Sequence, residues 1–158
     1  MNAMDVVEAE PISRREAGLP GVDIVQHGPG EILIVATGPV TGAAMRVAGL
    51  LRERGFGVTV AKSRWVVPVR AELLSLVSRH RLAVTLEDAL PDLKAGAEGG
   101  AGTALAQACA VAGITTPVRG IRLPRGFYEH REVLLTIAGL IGVDAALAGG
   151  RAPEKTRP

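Results

Sequence analysis

Short apolar runs, each followed by a stretch of helical spacing, limit this chain to one broad class of fold. The first run, Ile32 to Ala36, lies inside Glu31–Gly38 and is apolar at every position. Both of its faces therefore need cover, which a parallel strand between two helical layers receives. Residues 42–54 follow with Ala44, Val47, Ala48 and Leu51 on one face, and Arg46, Arg52 and Glu53 elsewhere. That is the stripe of a helix packed on one side. Thr41 is its expected N-cap and Gly55 its expected C-terminal stop. The form then repeats. Val58–Val60 reads as a strand, and residues 70–80 as a helix burying Leu73, Leu74 and Val77. Leu82–Leu86 is the next strand, and Thr103–Ala112 a helix burying Ala104, Leu105, Ala108 and Cys109. Val118–Leu123 is a further strand, and residues 131–141 the last helix. Such alternation predicts an α/β fold, a three-layer α/β/α sandwich around a mainly parallel sheet.

At 158 residues the chain fits one domain with a real core. Residues 1–29, with Pro11, Pro20 and Pro29, read as an irregular lead-in, residues 30–148 as the domain, and residues 149–158 as a disordered basic tail. The formal charge of +2 resides wholly in residues 151–158, which hold three basic residues and one acidic. The remainder is balanced and only 3% of residues are aromatic, so no nucleic-acid partner is expected. The single cysteine, Cys109, rules out an intrachain disulfide and a Cys-rich zinc site. His27, His80 and His130 have no ligand spacing between them, so no metal site is expected. No run is long enough to span a bilayer and the first residues lack a signal pattern. The expectation is a cytoplasmic chain without membrane contact.

Several local patterns invite a chemical reading beside a structural one. Gly38-Pro-Val-Thr-Gly42 joins a strand to a helix like a phosphate cradle, but its spacing matches no nucleotide fingerprint. The alternative is a tight turn. Glu87 and Asp88 stand past a strand's end, where open α/β sheets place ligands. They read either as acid–base or metal-binding carboxylates or as residues holding a helix and its loop. Gly99, Gly100 and Gly102 allow either an anion-binding nest or close packing of a helix on the sheet. His80 falls in the last turn of its helix, where a positive charge suits the dipole. His130 closes Phe127-Tyr-Glu-His130 at the end of the last strand. Cys109 lies on an apolar helix face and reads as a small buried residue. From composition and spacing alone the chain has no self-sufficient active site, so no catalytic residue is assigned.

Taken together, these motifs resemble the C-terminal domain of transketolase-type enzymes, and within them the 1-deoxy-D-xylulose-5-phosphate synthases of actinobacterial form. The resemblance runs through Gly30–Gly38, Gly57-Val-Thr-Val60, Ser63-Arg-Trp-Val-Val-Pro68, the stretch His80–Asp88, Gly99-Gly-Ala-Gly102 and Leu123-Pro-Arg-Gly-Phe-Tyr-Glu-His130. It implies the transketolase C-terminal fold. It also implies that Arg64, Trp65, Glu87, Asp88, Gly99, Gly100, Gly102, Tyr128, Glu129 and His130 have structural or interface roles. Enzymes of this family join pyruvate to glyceraldehyde 3-phosphate for isoprenoid synthesis, using thiamine diphosphate and magnesium. Those groups bind in domains this chain does not correspond to, so the chain itself is expected to hold no cofactor.

Two readings of function follow. In the first the chain is a C-terminal section of a synthase-like enzyme, inactive alone, docking on a protein that carries the thiamine diphosphate domains. In the second it is a repurposed, non-catalytic ligand-binding or regulatory module of the same fold. Self-association through apolar surface is expected in either case.

Overall fold

The computed structural model describes residues 22–63, 68–89, 100–124 and 130–149. Five strands form one sheet: β1 (Val22–Gln26), β2 (Ile32–Ala36), β3 (Val58–Ser63), β4 (Leu82–Ala89) and β5 (Val118–Pro124). Among the described residues the helices are α1 (Thr41–Glu53), α2 (Ala71–Ser78), α3 (Ala101–Val111) and α4 (Arg131–Ala148). The strand order is β1-β3-β2-β4-β5, with β1 antiparallel to β3 and every other pairing parallel.

The two helical layers follow from the direction of travel along the sheet. The chain moves one way from β2 to β3 and the other way from β3 to β4 and from β4 to β5. Right-handed crossovers then put the connecting helix on one face in the first case and on the opposite face in the others. Accordingly α1 packs with α4 on one face, against Ile32, Ile34, Val58, Val60, Val84 and Leu86. On the other face α2 and α3 pack against Leu33, Val35, Ala61 and Ala83. Strand residues alternate between the two cores, and β2 is buried at all its positions. The α/β/α sandwich read from the sequence is the observed fold.

Some local expectations change. Residues 22–26 fall in the stretch read as irregular, yet they form edge strand β1, with Val22, Ile24 and Val25 buried. The register of β1 on β3 shifts between Ile24 and Gln26, a bulge that blurs the sequence alternation. Residues 1–21 and 150–158 lie outside the described residues. Thr41 is not an N-cap: its backbone is already helical (φ −58°, ψ −40°) and Val40 takes the cap position. Gly55 does stop α1, in the left-handed region at φ +88°. Helix α4 continues to Ala148, past the expected end at residue 141. The sequence pattern weakens there because apolar residues occupy more than one face of the helix.

Candidate functional site

Helices α1 and α3 leave the adjacent strands β2 and β4 toward opposite faces of the sheet. The C-terminal ends of these two strands are therefore the switch point of the sheet, the place where open α/β folds form a crevice. A backbone bond spans it: Thr37 N–H donates to Leu86 O at 3.1 Å. Glu87 and Asp88 follow Leu86 in β4 and are half-buried.

Glu87 has both carboxylate oxygens engaged. Oε1 accepts from Arg122 Nε at 3.0 Å, and Oε2 accepts from the backbone N–H of Ala101 at 3.1 Å. Arg122 stands opposite Glu87 in the β4–β5 register. Ala101 is the first residue of α3, and the cap position before it is Gly100, in extended backbone. Glycine has no side chain with which to cap, so Glu87 supplies the missing acceptor from the neighbouring strand. Its negative charge also suits the positive end of the helix. A Cβ at Gly100 would collide with Glu87 Oε1 and with Arg122 Nη2. Of the two readings of Glu87, the one that holds a helix matches the geometry.

Gly102 sits one residue further along. A Cβ there would come within 2.6 Å of Gly120 Cα and 2.9 Å of Thr85 Oγ1. Helix α3 thus rests backbone to backbone on β5, and close packing accounts for this glycine. Thr85 Oγ1 is buried there without a hydrogen-bond partner. A small cleft of about 10 Å³ opens beside it, lined by Thr37, Ser63 and Ala101 among others. That space holds at most one water.

The Gly38–Gly42 segment does not form a phosphate cradle. Gly38–Val40 make a single 3₁₀ turn, and Thr41, Gly42, Ala43 and Ala44 are all buried. The N–H groups of the first turn of α1 are shielded from any ligand. His130 is exposed at the cap position of α4, and its carbonyl accepts from Leu134 N–H at 3.1 Å. Arg64, Trp65, Gly99, Tyr128 and Glu129 lie outside the described residues. In the sequence they follow β3, β4 and β5.

His80 departs from expectation. Helix α2 ends at Ser78, and His80 is buried beyond it with both ring nitrogens bonded. Nδ1 lies 2.8 Å from Leu76 O and Nε2 lies 3.0 Å from Thr59 Oγ1. Thr59 Oγ1 in turn accepts from the Gly28 N–H, and its one hydroxyl proton is shared between the Gly28 carbonyl at 3.1 Å and His80 Nε2. A side chain at Gly28 would strike the Val58 backbone. Burial pushes the His80 pKa below its ordinary value, outweighing the raising effect of the Leu76 carbonyl, and Arg79 adds to the lowering. The imidazole is favoured neutral, and it ties α2 to the β1–β2 link instead of offering charge to the helix end. Cys109 is buried and its thiol pKa is raised by that burial, so it is a poor nucleophile.

Among the described residues no three His, Cys, Asp or Glu side chains gather as metal ligands would. With Glu87 committed and the first turn of α1 buried, these residues do not fit a thiamine diphosphate–magnesium centre. Sequence reasoning missed Arg122 and Thr59. The signal for Arg122 was a cation inside an apolar run, one strand away from an acid. Thr59 carried no signal. Among the described residues no helix is long and apolar enough to cross a membrane.

Comparison with known proteins gives a consistent result. The family model for the transketolase C-terminal domain matches residues 22–142. A 1-deoxy-D-xylulose-5-phosphate synthase of Mycobacterium avium is 38% identical over 149 residues, covering 91% of this chain and 22% of that protein. The synthase of Leifsonia xyli is 38% identical over 84% of this chain and 20% of its own length. The chain thus spans about a fifth of the length of these relatives. A solved structure described as a split gene transketolase, inactive β4 tetramer, is 26% identical with a TM-score of 0.55. It covers 82% of this chain and 41% of that one.

Proposed function

Because this chain belongs to the transketolase C-terminal domain family, we propose that it is the C-terminal section of a 1-deoxy-D-xylulose-5-phosphate synthase-like enzyme. It works by docking on a protein that carries the thiamine diphosphate domains. The observation that carries this reading is the match of nearly the whole chain to about a fifth of those synthases. The partner supplies thiamine diphosphate and magnesium, and the chain alone turns over no substrate. Its part is to present a rigid edge, where the Glu87 clamp fixes the start of α3 against β5; Arg64, Trp65, Tyr128 and Glu129 are proposed from the family resemblance to have structural or interface roles. The pair acts in the cytoplasm in isoprenoid precursor synthesis. The split-gene transketolase, whose β chains assemble with one another as described, supports a divided enzyme and self-association of this chain.

The test is affinity purification of the tagged chain from its own host, with identification of what accompanies it. Near-equal recovery of a protein bearing thiamine diphosphate domains is expected, and the pair should carry out pyruvate-dependent carboligation. Carboligation by this chain alone, or recovery without any such protein, would overturn the reading.

A further inference from the structure

Strand β4 turns Ala83, Thr85 and Glu87 toward the face that α3 covers, and Leu82, Val84 and Leu86 toward the other core. Ala83 joins the apolar cluster and Glu87 caps α3. Thr85, between them, is 2% exposed and its hydroxyl has no hydrogen-bond partner. That hydroxyl stands against the first turn of α3, 2.9 Å from where a Cβ of Gly102 would lie. A buried hydroxyl left unbonded is destabilising, and native structures seldom keep one. Valine would fill the same shape without that cost. The space beside Thr85 supplies a reason for the hydroxyl. The cleft of about 10 Å³ has Thr37, Ser63 and Ala101 in its wall, with Val35 and Leu105 as apolar neighbours. Its room is close to what the centre of a single water molecule needs.

We propose that this cleft is a binding site for one resident water, held by Thr85 Oγ1 and completed by the hydroxyls of Thr37 and Ser63. Charge and size both select a small neutral occupant. The Glu87 carboxylate on the Ala101 N–H repels an anion, and the positive end of α3 repels a cation. The volume excludes anything larger than water. Water donates and accepts, and so does each hydroxyl around it, so the proton directions can be arranged without conflict. The site lies at the switch point of the sheet, where open α/β folds place their ligands. In this chain that position takes solvent as a fixed part of the structure: the water fills the gap between β4 and the start of α3, beside the Glu87 clamp.

The proposal involves no partner protein, so it stands or falls apart from the functional reading above. Its test is oxygen-17 relaxation dispersion of water in solutions of the full chain. That measurement counts slowly exchanging water molecules, and exchanging hydroxyl protons do not enter it. Thr85→Val should lower the count by about one molecule. Thr85→Ser, which keeps the hydroxyl, should leave the count unchanged. The urea midpoint gives a second readout through its sign. Thr85→Val should lower it, because a bonded hydroxyl is lost. A rise would mark the hydroxyl as unbonded and overturn the proposal. A count that Thr85→Val leaves unchanged, or a wild-type chain with no slowly exchanging water, would overturn it too. In the wild type, magnetisation transferred from water to the methyl groups of Val35 and Leu105 locates the molecule without any substitution. Its absence would overturn the proposal even if Thr85→Val failed to fold.

Discussion

Gly102 and His80 show how much a single position decides here. A methyl group at Gly102 meets backbone at Gly120, which cannot rotate away as a side chain could. Gly102→Ala should cost about 1–3 kcal/mol, read as a lowered urea midpoint with an unchanged slope. His80 gives a pH dependence of definite sign. Its folded pKa lies below the ordinary 6.5, so the unfolded chain binds more protons as acid is added. Its contribution is complete above about pH 6.5 and is lost as pH falls below it. His80→Gln should therefore flatten the fall in urea midpoint between about pH 7 and pH 5. The sequence located both residues; it left two readings of Gly102, of which close packing matches the contact with Gly120, and it misread His80. Gly102 was legible because a glycine cluster before a helix signals close approach. His80 was misread because spacing gives a position along a helix and says nothing of burial beyond its end.

Elements were legible where the hydrophobic period was clean. Strands β2 and β4 and helix α1 stand within a few residues of their expected limits, since each has a strong period and a defined neighbour. Edge strand β1 was missed because its five residues carry a register shift and follow a proline-rich stretch. It is nonetheless structural. Deleting residues 1–27 removes three buried β-branched side chains, Val22, Ile24 and Val25, worth on the order of 5 kcal/mol together. Since that rivals the whole stability of a small domain, the shortened chain should lose its cooperative melt by circular dichroism. Helix α3 depends on an acid from another element. Glu87→Ala leaves the Ala101 N–H without its acceptor and removes one partner of Arg122, and should destabilise the fold by about 1–2 kcal/mol. Hydrogen exchange should rise first at the start of α3. The acid was visible in the sequence; its partner on β5 was not, because strand register is a tertiary property.

One sheet serves both cores of the molecule, so neither helical layer can unfold while leaving the other packed. Unfolding should be a single transition. Cys109, buried under α3, reports on it: thiol labelling should become fast only at the denaturant concentration where the helical signal is lost. Labelling well before that point would reveal a layer that opens independently. At this scale the order of elements was readable from the chain, whereas the strand order was not, because alternation fixes layers and leaves neighbours open. The antiparallel direction of β1 has a consequence for the path of the polypeptide. Val22 pairs with Ser63, so the chain enters the sheet at the end where Glu87 stands. It leaves at the opposite end, where Gly149 lies against Arg81 just ahead of β4. Entrance and exit are separated by the full length of the strands. The chain therefore stands at the Glu87 end of the sheet when it enters at Val22 and at the far end when it reaches Gly149.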